Sequence, residues 1–170
     1  MPLPFNEAQA AFAQALDSEL KAQGLAPRTL GVTDWDPDAP LTAIRRLMLE
    51  SNGLISVAFR RSFIEVGATK PGTDESVDLR GRWQTSPWPH IEVAMAYQIG
   101  LPILILREEG VMDDGVLERG VTGMYLPQFD LENDDMDEYF QRPEFRQLVT
   151  RWVGHVQSVV TAKGAPPRLY

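Results

Sequence analysis

The sequence contains no cysteine and only two histidines among its 170 residues. Without cysteine there is no disulfide framework, no thiol nucleophile and no thiolate metal site. The two histidines, His90 and His155, are far apart along the chain, so the sequence offers little to hold zinc, and we expect no metal. Both are interpreted as surface or boundary residues.

The chain also lacks a signal peptide and any long apolar run, so we expect no membrane span and a cytoplasmic location. Basic residues are few, since 16 Lys and Arg stand against 24 Asp and Glu, which gives a net charge of −8. Because nucleic-acid binding needs a basic surface to neutralise phosphates, this balance argues against DNA or RNA as a partner.

The length fits one α/β domain over residues 1–163 followed by a loose tail at 164–170. A chain of this size can bury ~70% of its unfolded surface, which is enough for a single core. Hydrophobic periodicity and turn signals predict helices and strands in alternation. The predicted helices are 6–23 (with Asn6 as N-cap), 40–50 (buried through Ile44, Leu47 and Met48), 86–99, 112–118 and 142–160, and the predicted strands are 29–33, 54–59, 103–106 and 123–126.

Two polar segments interrupt this alternation. Residues 67–85 form a long polar stretch, and a loop of that length in a small domain is usually functional or disordered. Residues 130–138 are strongly acidic but lack the spacing of a calcium loop, so they are interpreted as a solvated surface linker.

The most informative stretch is the apolar helix at 86–99, which carries a single carboxylate, Glu92. Ser86 is the predicted N-cap and Pro87 the first helical residue. Glu92 then lies in the second turn, too far along for a capping box. Trp88 and Ala96 flank it at i−4 and i+4, so the carboxylate shares a stripe with an aromatic wall and a small residue. Burying a carboxylate is costly, and this pattern therefore predicts a catalytic role.

The motif Ser-x-Trp-x-x-x-Glu that ends at Glu92 resembles the signature around the catalytic glutamate of Toll/interleukin receptor (TIR) domains. The wider spacing Glu-x-x-x-Ala-x-x-x-Gly-x-Pro, from Glu92 to Pro102, also resembles the nucleoside 2-deoxyribosyltransferase-like family. The close motif covers only residues 86–106. Beyond it, the chain agrees with these families only in the order of its elements.

The resemblance implies a flavodoxin-like three-layer α/β fold with a mainly parallel central sheet. It also implies cleavage or transfer at an N-glycosidic bond, with Glu92 as nucleophile or oxocarbenium stabiliser. NAD⁺ is then the leading substrate, not a cofactor, and the TIR branch suggests a homo-oligomer in an immune or toxin setting. These families begin with an apolar strand in the middle of the sheet, whereas two prolines precede the first helix here, so we expect that strand to be missing or degenerate.

In open α/β sheets, ligands bind beyond the carboxyl ends of the strands, and several polar residues follow predicted strands or lie in the long loop. Arginine can hold phosphates through paired hydrogen bonds, and indole can stack on a flat base. The predicted substrate-binding residues are Ser86 (ribose), Trp88 (pocket wall), Arg60, Arg61, Arg80, Arg82 and Trp83.

The sequence is also compatible with two other classes of function. The first is a non-catalytic TIR-like module that binds a nucleotide signal or mediates assembly. The second is a flavin-binding relative of flavodoxin, which is weaker because no phosphate-binding loop follows a first strand.

Overall fold

The computed structural model describes residues 4–118, 120–121 and 128–162. Elements are numbered in chain order. The α-helices within these residues are α1 (Glu7–Ala22), α2 (Pro40–Leu49), α3 (Trp88–Gln98), α4 (Met136–Gln141) and α5 (Pro143–Thr161). The strands are β1 (Leu54–Ala58), β2 (Ser62–Ile64), β3 (Ala68–Thr69), β4 (Val77–Asp78), β5 (Arg82–Gln84), β6 (Ile103–Glu108) and β7 (Gln128–Phe129).

The main sheet has the order β1-β6-β7, and both pairs are parallel. Leu54 pairs with Ile103 at the start of β1 and β6, and Ala58 pairs with Arg107 at the other end. All six residues of β6 are buried. A strand that is buried on both faces must be apolar on both faces, and this is why the run at 103–106 was predicted as a central strand. That prediction is confirmed.

Helices cover both faces of this sheet. Side chains that point to one face, such as Val57 and Leu106, pack with residues of α1 and α5, among them Phe12 and Val149. Side chains that point to the other face pack with α2 and α3, in a cluster that contains Ile44, Ala58, Val93, Ala96, Ile103 and Ile105. The predicted three-layer α/β arrangement with a parallel central sheet is therefore confirmed.

Helix α1 begins as the sequence predicts. The Asn6 side chain accepts a hydrogen bond from the backbone N–H of Gln9 at 2.8 Å, which satisfies one of the free donors of the first turn. Phe12, Leu16 and Leu20 then point into the core. Residues 4–6, which lead into the helix, form no strand.

Residues 29–33 do not form the predicted strand. Gly31 has a φ of +79°, and the Thr33 hydroxyl accepts a hydrogen bond from the backbone N–H of Thr29 at 2.7 Å. The Thr33 N–H also donates to the Thr29 carbonyl at 2.9 Å. These local bonds close a turn and satisfy backbone groups that a strand would pair with a neighbour.

The long polar segment contains three short strands, β3, β4 and β5, which the sequence does not predict. Strand β5 pairs antiparallel with β2, and β4 pairs antiparallel with β3, so residues 67–85 contribute strands to two small sheets.

In the acidic run, Asp135 caps α4 through its side chain, so that part of the run is helical and not a linker. A 3₁₀ turn at Gly115–Leu117 replaces the predicted helix at 112–118.

The remaining predictions differ from the structure only at their edges. Helix α5 matches the predicted final helix within one residue at each end. Leu47 is only half-buried, whereas Ile44 and Met48 are fully buried. The strand predicted at 123–126 and the tail at 164–170 lie outside the described residues. No helix in the described part of the chain combines the length and apolar character that crossing a membrane requires.

Two glycines give a matched test of the packing. A Cβ built on Gly53 would lie 2.6 Å from Val156 Cγ2 and 3.0 Å from Trp152 Cζ2, and the indole N–H of Trp152 is fixed by a 3.1 Å bond to the Pro102 carbonyl. We expect Gly53→Ala to lower the free energy of unfolding by about 1–3 kcal/mol in urea denaturation because neither neighbour can easily move.

Gly154 is the control, because it lies on the exposed face of α5 with nothing within 4 Å of an added Cβ. Gly154→Ala should raise the free energy of unfolding by up to ~1 kcal/mol through helix propensity. Equal effects of the two substitutions would contradict the packing described for the start of β1.

Candidate functional site

Glu92 is the fifth residue of α3 and has a relative exposure of 8%. Helix α3 leads through a short connection into β6, so its first residues lie at the carboxyl end of the sheet. Glu92 is about 6 Å along the helix axis from that end. Its neighbour Val93 and the small Ala96 pack into the core between α3 and the sheet. The one carboxylate of this helix is therefore buried, as predicted.

Glu92 lines a cavity of about 450 Å³, which we call the edge cavity. Helices from both faces of the sheet border it, α1 through Leu16 and Leu20 and α2 through Ile44 and Met48. The first residues of β1, Leu54 and Ile55, form its floor. The lining residues Asn52, Gly53, Leu54 and Ile55 place the cavity at the amino end of β1, which is an edge strand of the described sheet.

The polar lining of the edge cavity includes the uncharged side chains of Thr29, Ser51 and Asn52. Apart from Glu92, its charged side chains are Asp17, Arg28 and Glu50. Arg28 donates to Asp34 at 2.6 Å and to Glu50 at 2.9 Å, and the first of these bonds is the main reason that the pKa of the Asp34 carboxyl lies below its usual value. The guanidinium is thus already engaged by two carboxylates.

The start of α3 differs from the prediction. The helix begins at Trp88, Pro87 occupies the cap position with φ −62° and ψ −21°, and no side chain caps it. The Ser86 hydroxyl is buried and has no hydrogen-bond partner among the described residues, so the predicted N-cap role of Ser86 is wrong. Pro87 already has helical angles, which leaves Ser86 one residue too early to reach the first free N–H groups.

Trp88 is 37% exposed and does not line the edge cavity. The i−4 spacing places it one turn before Glu92, but its ring lies at the helix start, near the surface. Ser86 is likewise absent from the cavity lining. The structure therefore does not bring the predicted pocket wall and ribose contact to the Glu92 cavity.

The predicted arginines lie elsewhere as well. Arg60 donates through Nε to the Glu109 carbonyl at 2.6 Å and through Nη1 to Glu132 at 3.0 Å, and its guanidinium lies 5.8 Å from the centre of the Trp83 ring. Arg61 is exposed, with its guanidinium 5.7 Å from the Phe5 ring centre. Arg60 and Trp83 do meet, as expected for residues at one mouth of the sheet, but neither they nor Arg61 line the edge cavity.

Arg80 and Arg82 are both exposed, and Arg80 lies in the turn between β4 and β5. Arg82 belongs to β5, opposite Ile64 of β2, and the backbone N–H of Arg80 donates to Asp78 at 2.9 Å. Neither residue borders the edge cavity. Trp83, which directly follows Arg82 in sequence, packs its ring against Phe63 with 5.0 Å between ring centres.

A buried polar cluster that sequence reasoning did not assign lies at the carboxyl ends of β1 and β6. Gln9 is fully buried, and its Nε2 donates to Glu108 Oε2 and to the Arg60 carbonyl, both at 3.0 Å. The backbone N–H of Arg60 donates to the same Glu108 oxygen at 2.8 Å. The sequence signal was the position of Gln9, three residues before Phe12 on the apolar stripe of α1.

Burial is the main cause that raises the pKa of Glu108, although the hydrogen bonds from the Arg60 N–H and from Gln9 act in the opposite direction. The cluster ties α1, β1 and β6 together at one point. Because its donors and acceptors are paired with one another, it is better explained as a structural cluster than as a ligand site.

His90 does not partner Glu92. Its Nε2 lies 3.7 Å from Asp114 Oδ1, on the side of α3 that faces the 3₁₀ turn. In the part of the chain that the structure describes, no three His, Cys, Asp or Glu side chains are placed to hold a metal ion.

No protein-family profile, curated protein or solved structure matches this chain. The functional assignment therefore depends on the geometry of the edge cavity and on the chemistry of Glu92.

The Glu108 cluster makes stability depend on pH. Because the pKa of Glu108 is raised in the folded protein, the folded state holds this proton at pH values where the unfolded chain has lost it. The contribution of Glu108 to the free energy of unfolding therefore falls as pH rises from the ordinary carboxyl pKa to the folded one, and is constant on either side.

Urea denaturation of the wild type and of Glu108→Gln across this pH range tests the effect. The wild type should lose stability relative to the variant as pH rises through the window. A stability difference that is constant with pH, or that changes in the opposite direction, would show that burial does not dominate the titration of Glu108.

Proposed function

We propose that this protein cleaves or exchanges the N-glycosidic bond of a nucleoside or nucleotide, with Glu92 as the catalytic carboxylate. The observation that carries the proposal is that Glu92 is buried at 8% exposure and borders a cavity of about 450 Å³. Ligand pockets in proteins have volumes of ~300–1,000 Å³ and mostly apolar walls, and the edge cavity fits both descriptions.

The chemistry requires one negative charge in an apolar setting. When the bond breaks, the base leaves with the electron pair and positive charge develops on the anomeric carbon. A carboxylate can stabilise this oxocarbenium-like state, or it can form a glycosyl ester that water or an acceptor then breaks. Either role becomes stronger where the carboxylate is buried, as Glu92 is at 8% exposure.

NAD⁺ is the leading substrate. Its nicotinamide leaves as a neutral molecule, because the electron pair of the broken bond cancels the charge on the pyridinium nitrogen. Among the described residues, the one cation that lines the edge cavity is Arg28, and it is already paired with two carboxylates. The nicotinamide riboside half would therefore occupy the cavity, and the phosphates would extend outside it.

The proposal also includes the self-association that the TIR resemblance implies. Sedimentation velocity would measure whether the protein forms a homo-oligomer.

Glu92→Gln tests the catalytic role, because it keeps the shape of the side chain and removes the charge. We expect base release from NAD⁺ or from the best substrate in a panel of nucleosides and nucleotides to fall by roughly 10³-fold or more. The free energy of unfolding should stay the same or rise, because a neutral amide is cheaper to bury than a carboxylate.

Glu144→Gln is the control, since Glu144 is an exposed glutamate in the first turn of α5. This variant should keep the wild-type rate. If the wild type releases no base from any compound in the panel, and Glu92→Gln is clearly less stable, then Glu92 is a structural residue and the protein is a binding or assembly module.

A further inference from the structure

Ser56, in the middle of β1, carries a hydroxyl group that the described residues leave unpaired. The residue has 0% exposure, and its Oγ has no hydrogen-bond partner among them. A buried hydroxyl that leaves water without gaining a partner costs free energy, and most buried polar groups in native proteins are therefore paired. An exception calls for an explanation, and a role in a neighbouring site is one.

The side chain of Ser56 points into the layer between the sheet and the helices α2 and α3. Side chains alternate along a strand, so Leu54 and Ala58 lie on the same side of β1 as Ser56. Both pack in the apolar cluster of α2 and α3, whereas Val57 packs in the cluster on the opposite face of the sheet. Ser56 therefore faces the layer to which the helix of Glu92 belongs.

Ser56 and Glu92 lie at similar heights in this layer. Helix α3 begins at the carboxyl end of the sheet, and Glu92 is about 6 Å along the helix axis from that end. Strand β1 ends at Ala58, and a rise of about 3.3 Å per residue places Ser56 about 7 Å from the same end. Leu54 lines the edge cavity together with Glu92, whereas Ser56 does not, so Ser56 lies behind the cavity wall.

Within the described residues, this layer offers the Ser56 hydroxyl one buried carboxylate as an acceptor. The buried residues with polar side chains on this face of the sheet are Ser56, Glu92 and Arg107. A guanidinium carries donors only, so Arg107 cannot accept the hydroxyl proton. The two oxygens of a carboxylate can accept several hydrogen bonds, so Glu92 can take one from Ser56 in addition to its other contacts.

We propose that Ser56 is a positioning residue, and that its hydroxyl donates a hydrogen bond to one oxygen of Glu92 when a nucleoside occupies the edge cavity. Rotation about χ1 moves Oγ between staggered positions, so this bond requires no movement of the backbone. The bond orients the carboxylate so that its other oxygen faces the anomeric carbon, and reacting groups must be aligned in this way for catalysis. The inference rests on the proposed function, because Ser56 acts in the same reaction.

Ser56→Ala tests this role, because it removes the hydroxyl and leaves the rest of the side chain. We expect kcat for base release from NAD⁺ to fall by about tenfold or more and KM to change by less than about twofold, because the bond acts on the carboxylate in the transition state. The free energy of unfolding in urea should stay the same or rise, because alanine buries no unpaired polar group. A purely structural hydroxyl would give a less stable variant with an unchanged kcat.

Two comparisons accompany this variant. Ser158→Ala is the matched control, since Ser158 is an exposed serine of α5 whose Oγ donates to the Gly154 carbonyl at 2.9 Å, and it should keep the wild-type kcat. In the Glu92→Gln background, Ser56→Ala should lower the residual kcat by less than about twofold, because the charge that Ser56 positions is gone.

The outcomes separate this inference from the proposed function. If the wild type releases base, then an unchanged kcat in Ser56→Ala, a loss of stability in that variant, or an equal loss of kcat in the Glu92→Gln background would refute the role of Ser56 and leave the reaction intact. A wild type that releases no base would refute the proposed reaction, and the role of Ser56 with it.

Discussion

The parallel pairing of β1 with β6 is the constraint on which the rest of the structure depends. Every residue of β6 is buried, so both of its faces must be covered, and the helices do this in two layers. Polar side chains can then enter only at the strand ends or around an edge. Glu108 enters at the carboxyl end, held by Gln9 and the backbone of Arg60. Glu92 enters from α3 and lines the edge cavity.

These two buried carboxylates have different surroundings. Glu108 accepts hydrogen bonds from Gln9 and from the Arg60 backbone, so its environment is closed by protein groups. Glu92 borders a cavity of about 450 Å³ with mostly apolar walls. A carboxylate beside a ligand-sized cavity is suited to act on a ligand, whereas the Glu108 carboxylate, which does not line this cavity, is suited to stabilise the fold.

Most of the architecture could be predicted from sequence because it depends on local patterns. Asn6 predicts the start of α1 and the apolar run at 103–106 predicts a buried strand, and the folded protein contains both features. The turn at 29–33 was missed because threonine favours strands on average, whereas here the Thr33 side chain bonds locally to Thr29. The partners of Arg60 could not be predicted, because Glu132 is far from it in sequence and is brought near only by the folded sheet.

The burial of Glu92 followed from its helix, but the shape of its cavity did not, because residues from α1, α2, α5 and the start of β1 form that cavity only in the folded chain. The most direct test is a crystal structure of Glu92→Gln with a bound nucleoside or NAD⁺ from the assay panel. The account predicts the sugar in the edge cavity, with its anomeric carbon about 3–3.5 Å from the side chain of residue 92. A ligand bound beside Arg60 and Trp83 instead, with the edge cavity empty, would contradict it.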